Sequence, residues 1–370
     1  MPANLKPLTT LRFVAAAWVV LYLYWPDLTG AAMPGLIAKG YLGVELFFVL
    51  SGFILSHVYL SQFGERRFRY GSFLWARLAR VYPLHIATLG GLLILITAAA
   101  AAGFRTNDNV AIWSSLPGQI VLGQAWGLTP LGGWNHPSWS ISAEWGAYLA
   151  FPLFAWAAWR MRERPRLAVA AALALLAVMN LAFVRLAGFP LTEATIAWGA
   201  VRIIPCFAYG CSIYLLWRAG QVIASWAAAT GVAAFAGAIA IAAGLGAPDP
   251  LTVALFGALI FFLAALSSSG SRLLSSRVEV YLGEVSFAVY MVCIPWKLVF
   301  TNGAQRALDL PAGPVPWPLW TVMLLGVIPV AIVAHHLVER PSRSAMRAWE
   351  AAGFRFGPPP RGWAQDSKAG

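Results

Sequence analysis

Long apolar runs separated by short polar or basic segments make up most of this 370-residue sequence. Most of the runs approach the roughly 20 residues that an α-helix needs to cross ~30 Å of hydrocarbon. We predict membrane spans near Leu8–Trp25, Gly40–Leu60, Tyr82–Ala102, Trp139–Trp159, Leu167–Ala187, Ile203–Trp217, Val222–Leu245, Leu251–Ser267, Gly283–Phe300 and Trp317–Val338. The pattern therefore predicts an all-α integral membrane protein, a bundle of about ten transmembrane helices.

The composition, 60% hydrophobic and 11% charged, excludes an ordinary soluble globular protein. If both termini are cytoplasmic, all but six of the 26 lysines and arginines fall on the cytoplasmic side, the six being Lys39, Arg105, Arg185, Arg202, Lys297 and Arg306. This bias follows the positive-inside rule, so we predict cytoplasmic termini. The net charge of +12 then reflects topology and attraction to anionic lipid, and it requires no nucleic-acid partner.

The pattern predicts one transmembrane domain, residues 1–343, and a short cytoplasmic tail, residues 344–370, with a disordered end.

The run Val110–Gly127 contains proline, glycine and polar residues, which favours an interfacial or re-entrant segment over a span. His335 and His336 are adjacent and point to different helix faces, whereas a metal-binding pair favours i,i+4 spacing. We therefore expect no metal site.

Two charged residues lie inside or at the edge of predicted spans. Glu45 stands in an apolar run, where a charge costs at least ~2.5–3.5 kcal/mol on insertion scales, so it is a candidate functional residue. The alternative is a structural ion pair inside the bundle. Arg12 lies at the inner end of the first span, from where it either extends to the lipid headgroups or points into a cavity.

A basic segment joins the second and third spans. Arg77 and Arg80 are three residues apart, so they share one face if this stretch is helical. Two guanidinium groups at the cytoplasmic mouth suit phosphate groups, which they bind through charge-assisted hydrogen bonds. The alternative is a basic cluster that contacts lipid. His85 follows just inside the third span, where it lines a cavity or hydrogen-bonds a neighbouring helix.

Several stretches together resemble the acyltransferase-3 family of integral-membrane acyltransferases. They are Gly43–Phe53, the Arg-x-x-Arg-Val-Tyr-Pro pattern of Arg77–Pro83, and Tyr281–Tyr290 with its Leu-Gly-x-x-Ser motif. The resemblance runs from Leu8 to Arg343 and so covers nearly the whole chain.

The chain departs from the family pattern at one central position. The family's first helix carries Arg-x10-His, and here Arg12 is present but Leu23 stands at the histidine position. The family histidine is credited with the chemistry, as general base or transient acyl carrier, so the resemblance implies an impaired enzyme. Cys293 is a second, milder departure, because many members have a histidine there.

The resemblance implies an enzyme that moves an acyl group, which we expect to be acetyl, from cytoplasmic acyl-coenzyme A to a hydroxyl of an outer-side glycan or lipid-linked sugar. The implied catalytic positions are Leu23, Arg12, Glu45 and Glu144. The implied acyl-coenzyme A site consists of Arg77, Arg80, Tyr82 and His85. The Trp-Ser-x-x-x-Glu-like stretch that ends at Glu144, with the residues before it, implies the acceptor side: Trp134, His136, Trp139 and Ser140.

Two other classes of function stay open at this point. An intramembrane acid, a basic mouth and an aromatic outer rim also fit a transporter or flippase for an anionic glycan or lipid, although such proteins usually show an internal repeat. The chain is alternatively a non-catalytic relative that binds acyl-coenzyme A, which Leu23 favours.

Overall fold

The computed structural model describes residues 5–102, 110–129, 132–220 and 223–354. Within these ranges the protein is helical, and its β-structure is limited to two isolated bridges. Its α-helices are α1 (Lys6–Tyr24), α2 (Gly35–Ala38), α3 (Gly43–Gly64), α4 (Tyr70–Ala101), α5 (Leu116–Ile120), α6 (Trp139–Leu149), α7 (Phe151–Arg160), α8 (Pro165–Ala187), α9 (Gly199–Ala219), α10 (Ser225–Gly244), α11 (Asp249–Ser268), α12 (Arg277–Ala307), α13 (Trp317–Ala334) and α14 (Arg340–Ala351). The predicted fold class is confirmed.

Nine helical segments in the described ranges are long and apolar enough to cross a membrane. They contain α1, α3, α4, α8, α9, α10, α11, α12 and α13. The predicted span Trp139–Trp159 is instead divided into α6 and α7, which have 11 and 10 residues and are separated by Ala150. Pro152 at the start of α7 explains this division, because it has no backbone N–H to donate to the preceding turn.

One predicted boundary needs correction. Helix α4 begins at Tyr70, well before the predicted Tyr82, so the basic connector is largely helical and Arg77 and Arg80 do share a helix. Beyond α13 the chain continues through a π-helical turn, His335–Glu339, into α14, which extends into the predicted tail. The predicted disordered end of the tail lies outside the described residues.

The segment between α4 and α6 does not cross the membrane as a helix in its described part. It contains only short helical turns, among them Trp113–Ser115 and α5. Its Gln119 and Gln124 side chains are buried, and Gln124 Nε2 donates to Ser138 Oγ over 3.1 Å. This irregular backbone is therefore packed against protein, as an interfacial or re-entrant segment requires.

Helices α3 and α9 form the most extensive helix–helix contact of the bundle. Gly52 on α3 lies against the backbone of Phe207, and Gly210 on α9 lies against the backbone of Val49. A methyl group at either glycine would overlap the other helix. Small residues at both contact points thus permit the close backbone approach that stabilises helix pairs in membranes.

The start of α1, the loop 65–69 and α14 lie at one end of the bundle, which we call the mouth end. Thr10 Oγ1 donates to the Leu274 carbonyl over 2.9 Å, and Trp75 Nε1 donates to the Met346 carbonyl over 2.8 Å. The opposite end, called the far end, holds the ion pair between Lys297 Nζ and Asp27 Oδ2 at 2.7 Å. The start of α1 and the whole of α14 therefore lie at the same end of the bundle.

Candidate functional site

A cavity of about 360 Å³ opens between α1, α3, α4, α6 and α12. Its volume is in the range of small-molecule sites, about 300–1,000 Å³. Apart from two tyrosines, the ionisable side chains in its lining are three arginines, one histidine and one carboxylate: Arg12, Arg77, Arg80, His57 and Glu144. The cavity is therefore a cationic site inside an apolar bundle. Because a desolvated positive charge favours an anionic partner, this composition suits a phosphorylated ligand.

Helix α3 supplies one wall of the cavity along most of its length. Val44, Phe47, Ser51, Ile54 and Val58 line the cavity at intervals of three or four residues, so they form one face of the helix. The distance from the first to the last of them is about 21 Å at 1.5 Å per residue. The lining is thus elongated along α3, and we call this cavity the channel.

Arg77 marks the entrance of this channel. Its guanidinium lies over the Tyr59 ring, with Cζ 5.8 Å from the ring centroid. Its Nε is buried and has no hydrogen-bond partner in the described structure. A guanidinium N–H that is buried without an acceptor is costly, so this atom is available for a ligand oxygen. Arg12 and Arg80 line the same cavity and add positive charge to it.

Glu144 is the one carboxylate in the lining of this cavity. Its Oε1 accepts hydrogen bonds from Ser51 Oγ at 2.6 Å and from the Tyr148 hydroxyl. These bonds fix the carboxylate against α3 while it faces the cavity. The sequence-based selection of Glu144 therefore coincides with a position from which a base can act on a bound substrate.

Two hydroxyl groups meet at the inner part of the cavity. Ser140 Oγ lies 2.8 Å from the Tyr290 hydroxyl, and both line the cavity. Each is also within hydrogen-bond distance of the Pro137 carbonyl, at 3.1 Å for Ser140 and 2.9 Å for Tyr290. Each hydroxyl has one proton to donate, so a ligand carbonyl oxygen can accept from this pair only in place of the bonds that the two hydroxyls already make.

Leu23 does not line the cavity. It lies in the last turn of α1, near the far end, where its carbonyl accepts a hydrogen bond from Lys297 Nζ over 3.2 Å. Helix α1 contributes only its first two turns to the lining, through Leu8, Thr9 and Arg12, and Leu5 just before the helix lines the cavity as well. The position of the family histidine is therefore separated from the mouth-end cavity along α1.

Glu45 likewise stays outside the cavity and is fully buried in an ion pair with Arg202. The pair is bidentate, since Arg202 Nε donates to one carboxylate oxygen and Nη2 donates to the other at 2.8 Å. Arg202 also donates to the Ala194 carbonyl over 3.0 Å and lies 4.7 Å from the Trp139 ring centroid. This placement favours the structural alternative for Glu45, an ion pair that joins α3 to α9.

The two other predicted site residues on α4 lie outside the cavity that Arg77 and Arg80 line. Tyr82 and His85 do not line the cavity. His85 is buried, and its Nε2 lies 2.8 Å from the Gln119 carbonyl. Of the alternatives for His85, the structure shows the hydrogen bond to a neighbouring segment.

The predicted acceptor side is only partly assembled at the cavity. Ser140 lines it, whereas Trp134 is buried elsewhere and donates from Nε1 to the Ile112 carbonyl over 2.9 Å. Trp139 is buried beneath Arg202, and His136 is exposed on a short 3-10 turn. The structure therefore brings together Arg12, Arg77, Arg80, Glu144 and Ser140.

His57 is a cavity residue that the sequence motifs do not indicate. It lies beside the edges of the Tyr214 and Trp217 rings, and its Nδ1 is buried with no described hydrogen-bond partner. The available signal was periodicity, because His57 follows Ile54 by three residues on the lining face of α3. Tyr290 was visible only as part of a motif and had no assigned role.

The family profile described as an acyltransferase domain matches residues 7–336. The chain belongs to the acyltransferase-3 family. This acyltransferase is 31% identical over 321 residues to the acyltransferase MdmB of Streptomyces mycarofaciens, a stretch that covers 78% of each protein. The predicted family and enzyme class are thereby confirmed.

Shorter similarities link the acyltransferase to two further proteins. It is 50% identical over 52 residues to protein 2 in the picA locus of Rhizobium radiobacter, which is 14% of this chain and 27% of that protein. It is 27% identical over 119 residues to an uncharacterised protein of Haemophilus influenzae, which is 30% of this chain and 47% of that protein. No solved structure matches the chain.

Proposed function

We propose that this acyltransferase takes an acyl group, acetyl in the first instance, from an acyl-coenzyme A that enters the mouth-end cavity from the cytoplasm. The acceptor is a hydroxyl of a glycan or a lipid-linked sugar, which approaches from the far end, on the outer side of a bacterial inner membrane. The observation that carries the proposal is the cavity itself. Its lining follows α3 over about 21 Å, and Arg12, Arg77 and Arg80 belong to that lining.

The chemistry of a coenzyme A thioester matches this distribution of groups. Its pyrophosphate is placed on Arg77 and Arg80, where two guanidinium groups supply charge-assisted hydrogen bonds. Its uncharged pantetheine arm runs along the apolar face of α3 toward the Ser140 and Tyr290 hydroxyls. A thioester carbonyl oxygen that reaches this pair competes with the Pro137 carbonyl for the hydroxyl protons, and accepting one of them stabilises the negative charge that develops on it.

The proposed reaction is a transfer from sulfur to oxygen. The acceptor oxygen attacks the thioester carbon, a C–O bond forms, and the C–S bond breaks. The proton of the acceptor hydroxyl ends on the released coenzyme A thiol. Glu144 is the proposed carrier of that proton in this chain, because it is the one carboxylate in the cavity lining. Leu23 leaves the reaction without the family histidine, so we expect tight binding and slow turnover.

Binding of acetyl-coenzyme A to the purified protein in nanodiscs tests the donor assignment. The double variant Arg77→Ala/Arg80→Ala should weaken binding by about tenfold or more, since charged hydrogen bonds contribute ~1.5–3 kcal/mol each. The matched control is Arg160→Ala/Arg162→Ala, which removes two arginines that lie over tryptophan rings outside the cavity. If no form binds a coenzyme A thioester, the donor assignment is wrong.

Leu23 also favours a second candidate, a relative that binds acyl-coenzyme A without turning it over. Both candidates predict that acetyl-coenzyme A binds, so the measurement that distinguishes them is the release of free coenzyme A. A slow release that depends on acceptor and on Glu144 supports the enzyme. Binding without any acceptor-dependent release, also after the histidine is restored at position 23, supports the non-catalytic relative.

A further inference from the structure

A second cavity, of about 260 Å³, lies at the mouth end beside the entrance of the first. It is formed by the end of α3, the loop 65–69, the start of α4 and the end of α14. The side chains that matter for its chemistry are two aromatic rings, two arginines, one amide and one carboxylate: Tyr59, Phe68, Arg67, Arg69, Gln62 and Glu350. The acyl transfer proposed above uses none of them.

Tyr59 connects the two cavities. Its ring lines the second cavity, and the Arg77 guanidinium, which lines the first, lies 5.8 Å from the centre of the same ring. A ligand whose phosphates lie on Arg77 therefore has the second cavity as its immediate neighbour. The part of the ligand beyond those phosphates, on the solvent side, then contacts Tyr59 and the other residues of the second cavity.

The second cavity offers aromatic rings that lie at steep angles to one another. Phe68 is half-buried and meets the Tyr59 ring edge to face, with 5.9 Å between centroids. Phe73 lies behind Tyr59 at 5.0 Å in the same orientation and fixes the ring in place. A heteroaromatic base stacks on the face of such a ring, whereas the anionic phosphate of a lipid headgroup gains no favourable contact from that face.

The polar groups around these rings match a phosphorylated nucleoside. Arg67 and Arg69 are exposed, and the Arg67 partner Glu65 is itself 49% exposed, so this surface pair is weak and yields to a phosphate. Gln62 and Glu350 provide an amide and a carboxylate acceptor. Adenine presents an exocyclic amino donor beside a ring-nitrogen acceptor, which such groups can bind.

We propose that the second cavity is the nucleotide subsite of the donor: it binds the 3′-phosphoadenosine end of coenzyme A. The adenine stacks on the Phe68 ring and meets Tyr59 at its edge, the 3′-phosphate lies between Arg67 and Arg69, and the pyrophosphate continues past Tyr59 to Arg77. This assignment rests on the proposed function, because it presupposes an acyl-coenzyme A donor in the first cavity. It gives a role to Arg67 and Arg69, two of the three arginines on the loop, in addition to the guanidinium groups in the channel.

The test is a series of three ligands bound to the unaltered protein in nanodiscs of zwitterionic lipid. The ligands are acetyl-coenzyme A, its 3′-dephospho form, and acetyl-phosphopantetheine, which lacks the nucleotide. We expect acetyl-coenzyme A to bind about tenfold more tightly than the dephospho form, and acetyl-phosphopantetheine to bind most weakly. This series needs no substitution, so no folding defect can obscure it.

Variants of the loop then show which side chains cause the differences in affinity between the three ligands. Arg67→Ala/Arg69→Ala should bring acetyl-coenzyme A to the affinity of its dephospho form and leave the dephospho form unchanged. Phe68→Leu should weaken both nucleotides and leave acetyl-phosphopantetheine unchanged. The matched control is Arg66→Ala, because Arg66 is exposed in the same loop and lines neither cavity. It should leave the whole series unaltered.

The outcomes separate this proposal from the one on which it rests. If the three ligands bind equally and Arg77→Ala/Arg80→Ala weakens all of them, the donor assignment stands and the nucleotide subsite is wrong. If Arg67→Ala/Arg69→Ala changes only the retention of anionic lipid, the second cavity is a lipid site and the subsite is again wrong. If none of the ligands binds, both proposals fail.

Discussion

Arg12 and Leu23 lie on the same face of α1, but only Arg12 of the two lines the cavity. They are eleven residues apart, and about three turns of 3.6 residues bring the chain back to nearly the same direction. Between them Ala15 and Val19 pack against Gly43 at the start of α3. One helix face therefore leads from the cationic cavity, past a tight helix contact, to the far end where the family histidine would stand.

The Leu23→His variant tests this relationship. A histidine at this position restores a base or acyl carrier on the face of α1 that leads to the cavity. We expect acceptor-dependent release of coenzyme A to rise by ~10²–10⁴-fold, the usual contribution of a general base, at an unchanged affinity for acetyl-coenzyme A. A thiol-reactive dye measures the release, and titration calorimetry measures the affinity.

The control for this variant is Leu21→His, two residues away. Leu21 is half-buried like Leu23, so it reports the cost of placing an imidazole near the end of α1. The side chains of Leu21 and Leu23 project from different faces of α1, so Leu21→His should not restore turnover. Equal activity of Leu23→His and the unaltered chain would show that Leu23 is not the lesion.

Glu144→Gln should separate catalysis from binding. The amide keeps the size of the side chain and can still accept from Ser51, but it cannot take up a proton. Turnover should fall by ~10²–10⁴-fold while the affinity for acetyl-coenzyme A changes by less than about threefold. The measurement is acceptor-dependent coenzyme A release with parallel binding titrations.

The same substitution at an exposed carboxylate, Glu284→Gln on α12, controls for charge. It should leave turnover unchanged. If Glu144→Gln turns over at the rate of the unaltered chain, the proton is carried by another group in the cavity, and His57 becomes the first candidate because its Nδ1 has no described partner.

Much of the fold was predictable because membrane helices are encoded by local composition. Apolar runs near 20 residues identified the spans, and only one of them, at Trp139–Trp159, was divided into two helices. Pro152 was visible in that run, but a proline in a membrane helix does not by itself show whether the helix bends or ends. The early start of α4 was hidden because polar arginines in a helix at the interface resemble those in a loop.

The site was less predictable because it depends on contacts between distant parts of the chain. Arg77 and Arg80 share a helix face, which spacing alone indicates, and the structure places both in the cavity. The partner of Glu45 is Arg202, 157 residues away, and no periodicity indicates such a pair. His57 was missed for the same reason, since half-buried histidines are common and only the bundle shows which face lines a cavity.

The Glu45–Arg202 pair should act on stability. Removing one partner leaves the other charge buried, which typically costs 3–5 kcal/mol. Glu45→Ala and Arg202→Ala should each lower the thermal unfolding midpoint in detergent strongly, whereas Glu45→Ala/Arg202→Ala should lower it by much less than the two effects added together. The opposite pattern, normal stability of Glu45→Ala with abolished turnover, would return Glu45 to the catalytic machinery.

Gly210 sets how closely α9 approaches α3, and through α3 it sets the wall of the cavity. A methyl group at this position would overlap the Val49 backbone, so Gly210→Ala should force the helices apart and cost about 1–3 kcal/mol. The matched control is Gly237→Ala on α10, where nothing lies within 4 Å of the added methyl group. There alanine should be neutral or stabilising, because glycine in a helix interior costs roughly 0.5–1 kcal/mol relative to alanine. Thermal unfolding in detergent compares the two variants, and equal midpoints would mean that the α3–α9 contact does not depend on the glycine.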